Sequence, residues 1–357
     1  MGAAGRVLGL LLVVSVVVAA VLAAFWVYGV GSLGDRRNSG AHGPATNGTP
    51  AEPYSVISYT SSVDGAPLTY REWVPPTYSA NRSTAFLLFL HGQTDQSDNG
   101  CGEFDNRSGG ISMLNAALAQ GWLAGSLCTR TGDGWYVNSP YSGPQETDVL
   151  DAIAHERAIR NVSSVYLVGF SMGTSGALNI ADHHPGLVAG VGVIEACPDE
   201  FMTIDYLLAS GQAGKLYGFE AASGGPLPSD GGYARGLAYY LSSFRFFPQN
   251  MTGVRLYVVE GGMDITCPNN VSTFGFQQGN NTVLNATCLV AAAEEEPSGC
   301  TTPFAGLSDA HARLVFEPLG HHSIDNVYGP DLVGYLAGDE PDGTYWAAPG
   351  EPPGPAP

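Results

Sequence analysis

Gly169-Phe170-Ser171-Met172-Gly173 sets one serine between two glycines, directly after the apolar run Val165-Tyr166-Leu167-Val168 and just before the small-residue stretch Thr174 to Ala181. The pattern reads as strand, sharp turn and helix, with the serine on the turn. A turn that tight leaves no room for side chains two positions before and after the serine, which is what the glycines are for. The chain has 48 glycines, so a bare pentapeptide of this kind arises readily by chance. The flanking strand and helix patterns, and the partners downstream, give it meaning. A serine hydroxyl is a poor nucleophile at neutral pH unless a base lies within hydrogen-bond reach. Histidine titrates near the working pH, so it can take the proton and later return it to a leaving group. A carboxylate behind the histidine fixes its tautomer and stabilises the imidazolium.

Both partners follow in the chain. Arg255-Leu256-Tyr257-Val258-Val259-Glu260 reads as a strand, and Gly261-Gly262-Met263-Asp264 brings a carboxylate after a glycine turn. Ala312 to Glu317 reads as another strand, and Gly320-His321-His322 follows it. The expected set is Ser171 as nucleophile, His321 as base and Asp264 as the orienting acid. His321 is preferred to His322 because it directly follows Gly320. Asp199, in Cys197-Pro198-Asp199-Glu200, is the alternative acid. Glu195 and Glu260 lie in or at the ends of strands and read as bonded structural carboxylates. Upstream, Ala85 to Leu90 reads as a buried strand ending in His91-Gly92-Gln93. The backbone N–H groups of Gln93 and of Met172 are expected to face a developing oxyanion. His91 is expected to be structural, bonded to nearby backbone.

The order Ser, Asp, His and these strand-end placements resemble the α/β-hydrolase superfamily over roughly residues 54–338. Within it the chain looks most like the secreted feruloyl esterase and polyhydroxybutyrate depolymerase group. That likeness rests on His91-Gly92 with Cys101 soon after, on the serine pentapeptide, and on Gly262-Met263-Asp264 followed by Cys267-Pro268. The resemblance implies an α/β-hydrolase fold, a mostly parallel sheet flanked by helices, with cap-like insertions. It also implies an ester substrate, small or polymer-borne, cleaved through an acyl-enzyme. An acyltransferase, a peptidase, or a non-catalytic adhesion module on the same scaffold are the alternatives.

The elements that must position these residues follow from pattern. Residues 54–74 read as a hairpin turning at Val63-Asp64-Gly65. Helices are expected at Ile111 to Gln120, Glu146 to Arg160, Met172 to His183 and near Asp331 to Leu336. Alternation of strands and helices argues for a parallel sheet covered on both faces. Residues 199–250, rich in aromatics and glycine, read as an insertion above the strand ends, and residues 268–311, with three glycosylation sequons and Glu294-Glu295-Glu296, as a second insertion forming a solvated, glycosylated loop. The tail 339–357 is proline- and glycine-rich and is expected to lack structure.

The net charge of −19 disfavours nucleic-acid partners. Charged residues are 13%, against about 25% in ordinary soluble domains, which argues against a salt-adapted surface. Residues 1–30 hold an apolar run from Val7 to Val30, read as a signal anchor or signal peptide, and 31–53 as a flexible stalk. The catalytic domain is thus expected outside the cytosol, tethered to the membrane or secreted. Sequons stand at Asn47, Asn81, Asn106, Asn161, Asn250, Asn270, Asn280 and Asn285, half of the sixteen asparagines, where chance would give roughly one in seven. N-glycans are therefore expected. The six cysteines are even in number. In the fold the resemblance implies, strand adjacency pairs Cys101 with Cys128 and Cys197 with Cys267, leaving Cys288 with Cys300. No cofactor and no metal site is expected. His183-His184 and His321-His322 are adjacent pairs, and there is no H-E-x-x-H, C-x-x-C or phosphate-cradling loop.

Overall fold

In the computed structural model the structure describes residues 53–93, 99–130, 136–139, 143–196, 211, 253–261, 311–317, 320–347 and 351–355. In chain order these form β1 (Ser55–Thr60), β2 (Pro67–Trp73), β3 (Thr84–Leu90), α1 (Glu103–Asn106), α2 (Ser108–Ala119), β4 (Leu123–Cys128), β5 (Asn138–Ser139) and β6 (Gly143–Pro144). Then come α3 (Gln145–Ile159), β7 (Val162–Phe170), α4 (Met172–His183), β8 (Gly190–Ile194), β9 (Arg255–Gly261), β10 (His311–Glu317), a 3-10 turn (Ile324–Asn326), α5 (Gly329–Ala337), β11 (Gly343–Trp346) and β12 (Gly354–Pro355). The N-terminal apolar segment, the stalk to residue 52, and both insertions apart from Gly211 and His311 lie outside the described residues.

Ten strands make one sheet in the order β1-β2-β4-β3-β7-β8-β9-β10-β11-β12. Every pairing from β4 through β11 is parallel. The β1–β2 hairpin adds antiparallel strands at one edge and β12 adds one at the other. The hairpin turns with Gly65 at φ 73, as its Asp-Gly sequence predicts.

The unbroken apolar run of β3 is explained by burial on both faces. Phe86, Leu88 and Leu90 point into one core with Val149, Ile153, Leu178 and Ile180 of α3 and α4. Leu87 and Phe89 point into the other with Met113, Leu114, Leu332 and Leu336 of α2 and α5. This period of two across a sheet covered by helices gives three layers.

β10 is fixed by a buried ion pair. Arg313 grips Asp331 of α5 through Nη2 (2.7 Å) and Nε (3.0 Å), and the Tyr257 hydroxyl of β9 donates to the same carboxylate at 2.7 Å. That pair sets the strand whose end leads to His321-His322. Residues 343–346 correct the expectation of a structureless tail. Thr344, Tyr345 and Trp346 are strand-prone, and they extend the sheet as β11 beside β10. Arg313 stacks 3.6 Å over the Tyr345 ring, and its Nη1 donates to Pro341 O at 2.8 Å.

Cys101 and Cys128 are disulfide-bonded, as strand adjacency predicts; the other four cysteines lie outside the described residues. Asn81, Asn106 and Asn161, the sequons within the described residues, are all exposed. No helix of the described residues is long and apolar enough to cross a membrane; the predicted N-terminal segment is not among them.

Candidate active site

Ser171 sits between β7 and α4 with φ 52 and ψ −118, a conformation that non-glycine residues rarely take. The turn is held by its backbone: Ser171 N–H donates to Ile194 O at 2.9 Å, and Thr174 donates to Ser171 O through both its N–H (2.9 Å) and its hydroxyl (2.6 Å). The two glycines are sterically required. A Cβ on Gly169 would stand 2.1 Å from Gly173 O, and one on Gly173 would stand 2.0 Å from Leu90 O. The side chain of Ser171 is held at the C-terminal edge of the sheet, beside the end of β3.

The residue facing it is His322. Its Nε2 lies 2.8 Å from Ser171 Oγ, and its ring packs on Phe170 at 5.2 Å between centroids. This corrects the expectation for His321, whose side chain is exposed and whose backbone carbonyl accepts from Asn326 Nδ2 at 2.6 Å. The physical reason is the anchoring of the loop. Asn326 holds the His321 carbonyl on one side, and Ser323 begins the 3-10 turn by accepting Asp325 N–H at 3.1 Å. Between these two ties only His322 is left turned toward Phe170 and Ser171. Asp325 in turn accepts from Ser108 Oγ (2.7 Å) and Gly109 N–H (3.1 Å) at the start of α2, where a helix dipole favours a negative group. A Cβ on Gly109 would stand 2.0 Å from Ile324 O, so the loop lies directly on that helix end.

The loop after β3 closes the other side. The Cβ that Gly92 lacks would stand 3.4 Å from Ser171 Cβ. Gly92 N–H donates to Glu103 Oε2 at 2.7 Å, and Gly92 O accepts from His91 Nδ1 at 2.6 Å. A carbonyl oxygen can only accept, so His91 carries its proton on Nδ1 here. His91 Nε2 meets Thr129 Oγ1 at 2.8 Å, and Tyr136 donates from its hydroxyl to His91 O at 3.2 Å. Burial, then the nearby Glu103 charge, holds the Tyr136 phenol well above its ordinary range, so it stays a donor. His91 is thus the structural histidine its setting predicts. Gln93 follows this clamped glycine, and Met172 opens α4 at the positive end of the helix.

Asp264 and the alternative Asp199 lie outside the described residues. β9, which ends at Gly261, three residues before Asp264, lies between β8 and β10. Glu195 and Glu260 are buried and bonded as expected: Glu195 Oε2 accepts Gly261 N–H at 3.1 Å and Glu260 Oε1 accepts Ala196 N–H at 3.0 Å. His183 Nδ1 and His184 Nε2 both meet Glu146 Oε1, at 3.1 and 2.9 Å. No group of three or more metal-ligating side chains occurs among the described residues. Sequence reasoning missed Glu103 and Asn326; their contacts join loops 11 and 5 residues apart, and neither belongs to a motif.

No protein-family model matches the sequence, and no curated protein is detectably similar to it. Solved structures are similar in fold. An S-formylglutathione hydrolase from Agrobacterium tumefaciens aligns at TM-score 0.52 with 16% identity, over 80% of this chain and 95% of its own. MPT51 from Mycobacterium tuberculosis aligns at 0.55 with 15% identity, over 81% and 98%. A 2,6-dihydroxy-pseudo-oxynicotine hydrolase aligns at 0.53 with 15% identity, over 84% and 71%. At such identities the likeness speaks to architecture: this chain has the α/β-hydrolase fold.

Proposed function

We propose that this chain is an exported serine hydrolase that cleaves carboxylic esters. The observation that carries the reading is the strained Ser171 with His322 Nε2 2.8 Å from its hydroxyl. Ser171 Oγ attacks the ester carbonyl carbon while His322 takes its proton. The tetrahedral intermediate collapses, the C–O bond to the alcohol breaks, and His322 returns the proton to the departing oxygen. Water then repeats the sequence on the acyl-enzyme and frees the acid and Ser171.

Asp264 is the orienting acid of the proposal, since it follows by three residues the end of β9, the strand paired with β10, which leads to His322. The N–H groups of Met172 and Gln93 hold the oxyanion. A trans peptide is planar, so fixing Gly92 O against His91 aims the Gln93 N–H the opposite way. The resemblance to feruloyl esterases and polyhydroxybutyrate depolymerases supports an ester, small or polymer-borne, over an amide. Export is supported by the apolar segment before Val30, by three exposed sequons and by the Cys101–Cys128 bond.

Fluorophosphonate labelling of the full chain made in a secretory host tests the reading, beside Ser171→Ala, His322→Ala and His321→Ala. Wild type and His321→Ala should label, and the other two should not. Turnover of nitrophenyl esters should fall about 10⁴-fold or more in both inert variants. A folded wild type that neither labels nor hydrolyses esters refutes the proposal.

A further inference from the structure

The ends of β8 and β9 are joined by an exchange of carboxylates that the chemistry above does not use. Glu195 follows β8 at φ 55, again in the left-handed region that non-glycine residues avoid. Its Oε2 takes the N–H of Gly261 at the end of β9 (3.1 Å), while Glu260 Oε1 takes the N–H of Ala196 (3.0 Å). Each strand end therefore supplies the acceptor for the other's next N–H. The second oxygen of Glu195 accepts from Asn326 Nδ2, and the same amide nitrogen donates to His321 O at 2.6 Å. Glu195 and Glu260 are fully buried and Asn326 is 4% exposed. Glycines let these segments meet: a Cβ on Gly261 would stand 2.5 Å from Gly320 O, and one on Gly320 would stand 3.0 Å from Asn326 Nδ2.

We infer that Glu195 and Asn326 are positioning residues for His322, with Asn326 as the bridge and the Glu195–Glu260 exchange as its fixed base. The inference rests on the hydrolase reading for its consequence in rate. The His321 carbonyl and the His322 N–H belong to one planar peptide. Holding that carbonyl removes most of the freedom of the residue whose ring must meet Ser171 Oγ at 2.8 Å. The base of the bridge reaches Gly261 at the end of β9, so one buried cluster ties the histidine's loop to the ends of both β8 and β9. Buried carboxylates and a strained φ are costly, and such costs concentrate where a geometry must be held.

The test compares Asn326→Ala and Glu195→Gln with wild type. Glutamine keeps the volume and an acceptor for Gly261 N–H, but its amide nitrogen meets that of Asn326, so the bridge to His321 is lost. Both variants should lose kcat by about 10- to 100-fold with KM within about twofold, the pattern of a displaced catalytic group. Crystal structures should show the His322–Ser171 distance lengthened. A merely structural role predicts a lowered thermal midpoint with wild-type kcat in the folded fraction; that result, or an unchanged 2.8 Å contact, overturns the inference. Should Asn326→Ala fail to fold, Glu195→Gln decides. Should wild type itself prove inert, the hydrolase reading falls, and the crystallographic distance still decides whether the bridge places His322.

Discussion

Gly173→Ala asks whether the tight elbow is needed for rate. In an exposed helix interior, glycine to alanine stabilises by about 1 kcal/mol. Here the added Cβ would stand 2.0 Å from Leu90 O, where ordinary contacts begin near 3.4 Å. Neither atom is the tip of a flexible side chain, so the start of α4 must part from the end of β3 by at least about 1 Å. Those two ends carry Ser171 and Met172 on one side and Gly92 and Gln93 on the other. A displacement of that size at a reacting group costs about 100-fold in rate, or about 2.7 kcal/mol of barrier. Overpacking should also remove about 1–3 kcal/mol of stability, and each kcal/mol lowers the midpoint by about 2–4 °C in a domain of this size. The assay is kcat on a nitrophenyl ester, with thermal unfolding in parallel. Gly354→Ala in β12, where a Cβ meets nothing within 4 Å, is the control and should match wild type in both. A folded Gly173→Ala protein with kcat within threefold of wild type would refute the steric reasoning.

Two further expectations concern stability. Burial pushes the Glu156 carboxyl up to about 7; the Tyr70 hydroxyl bonded to it opposes this and the neighbouring Glu72 charge adds to it. An acid with a raised folded pKa gives stability that is complete below its unfolded value and is lost as pH rises through about 7. Between pH 4.5 and 8, wild type should therefore lose about 3 kcal/mol relative to Glu156→Gln, which still accepts from Tyr70. Chemical denaturation of both across that range measures it, and parallel curves would show that Glu156 titrates normally. The Cys101–Cys128 bond closes a loop with a sequence separation of 27. On loop entropy alone, the Cys101→Ala/Cys128→Ala double variant should be less stable by about 3.5 kcal/mol. A loss under about 1 kcal/mol in denaturant melts would mean that the loop stays folded without the bond.

How far the sequence could be read depended on whether a residue's role is local. The pentapeptide around Ser171 is a local steric problem, so its two glycines, the strand before it and the helix Met172–His183 were legible at once. Strands β3 and β9 announced themselves as apolar runs because both their faces are buried. His91 could be read as structural because one of its partners, the Gly92 carbonyl, is the very next residue. The tail was misread because strand pairing at residues 343–346 depends on β10, which precedes it by some thirty residues, and on Arg313 stacking over Tyr345. Local composition carries no trace of that neighbour.

The adjacent histidines mark the same boundary inside the site. Residue types and chain order alone determined that a serine and a histidine would meet at the C-terminal edge of a parallel sheet. No periodicity applies to Gly320-His321-His322-Ser323, so nothing in the sequence chooses which ring faces Ser171. Tertiary structure made that choice through bonds from distant elements: Asn326 on the His321 carbonyl, Glu195 behind Asn326, and the start of α2 on Asp325. An irregular loop takes its orientation from what it is tied to, and those ties exist only once the strands that carry them lie side by side.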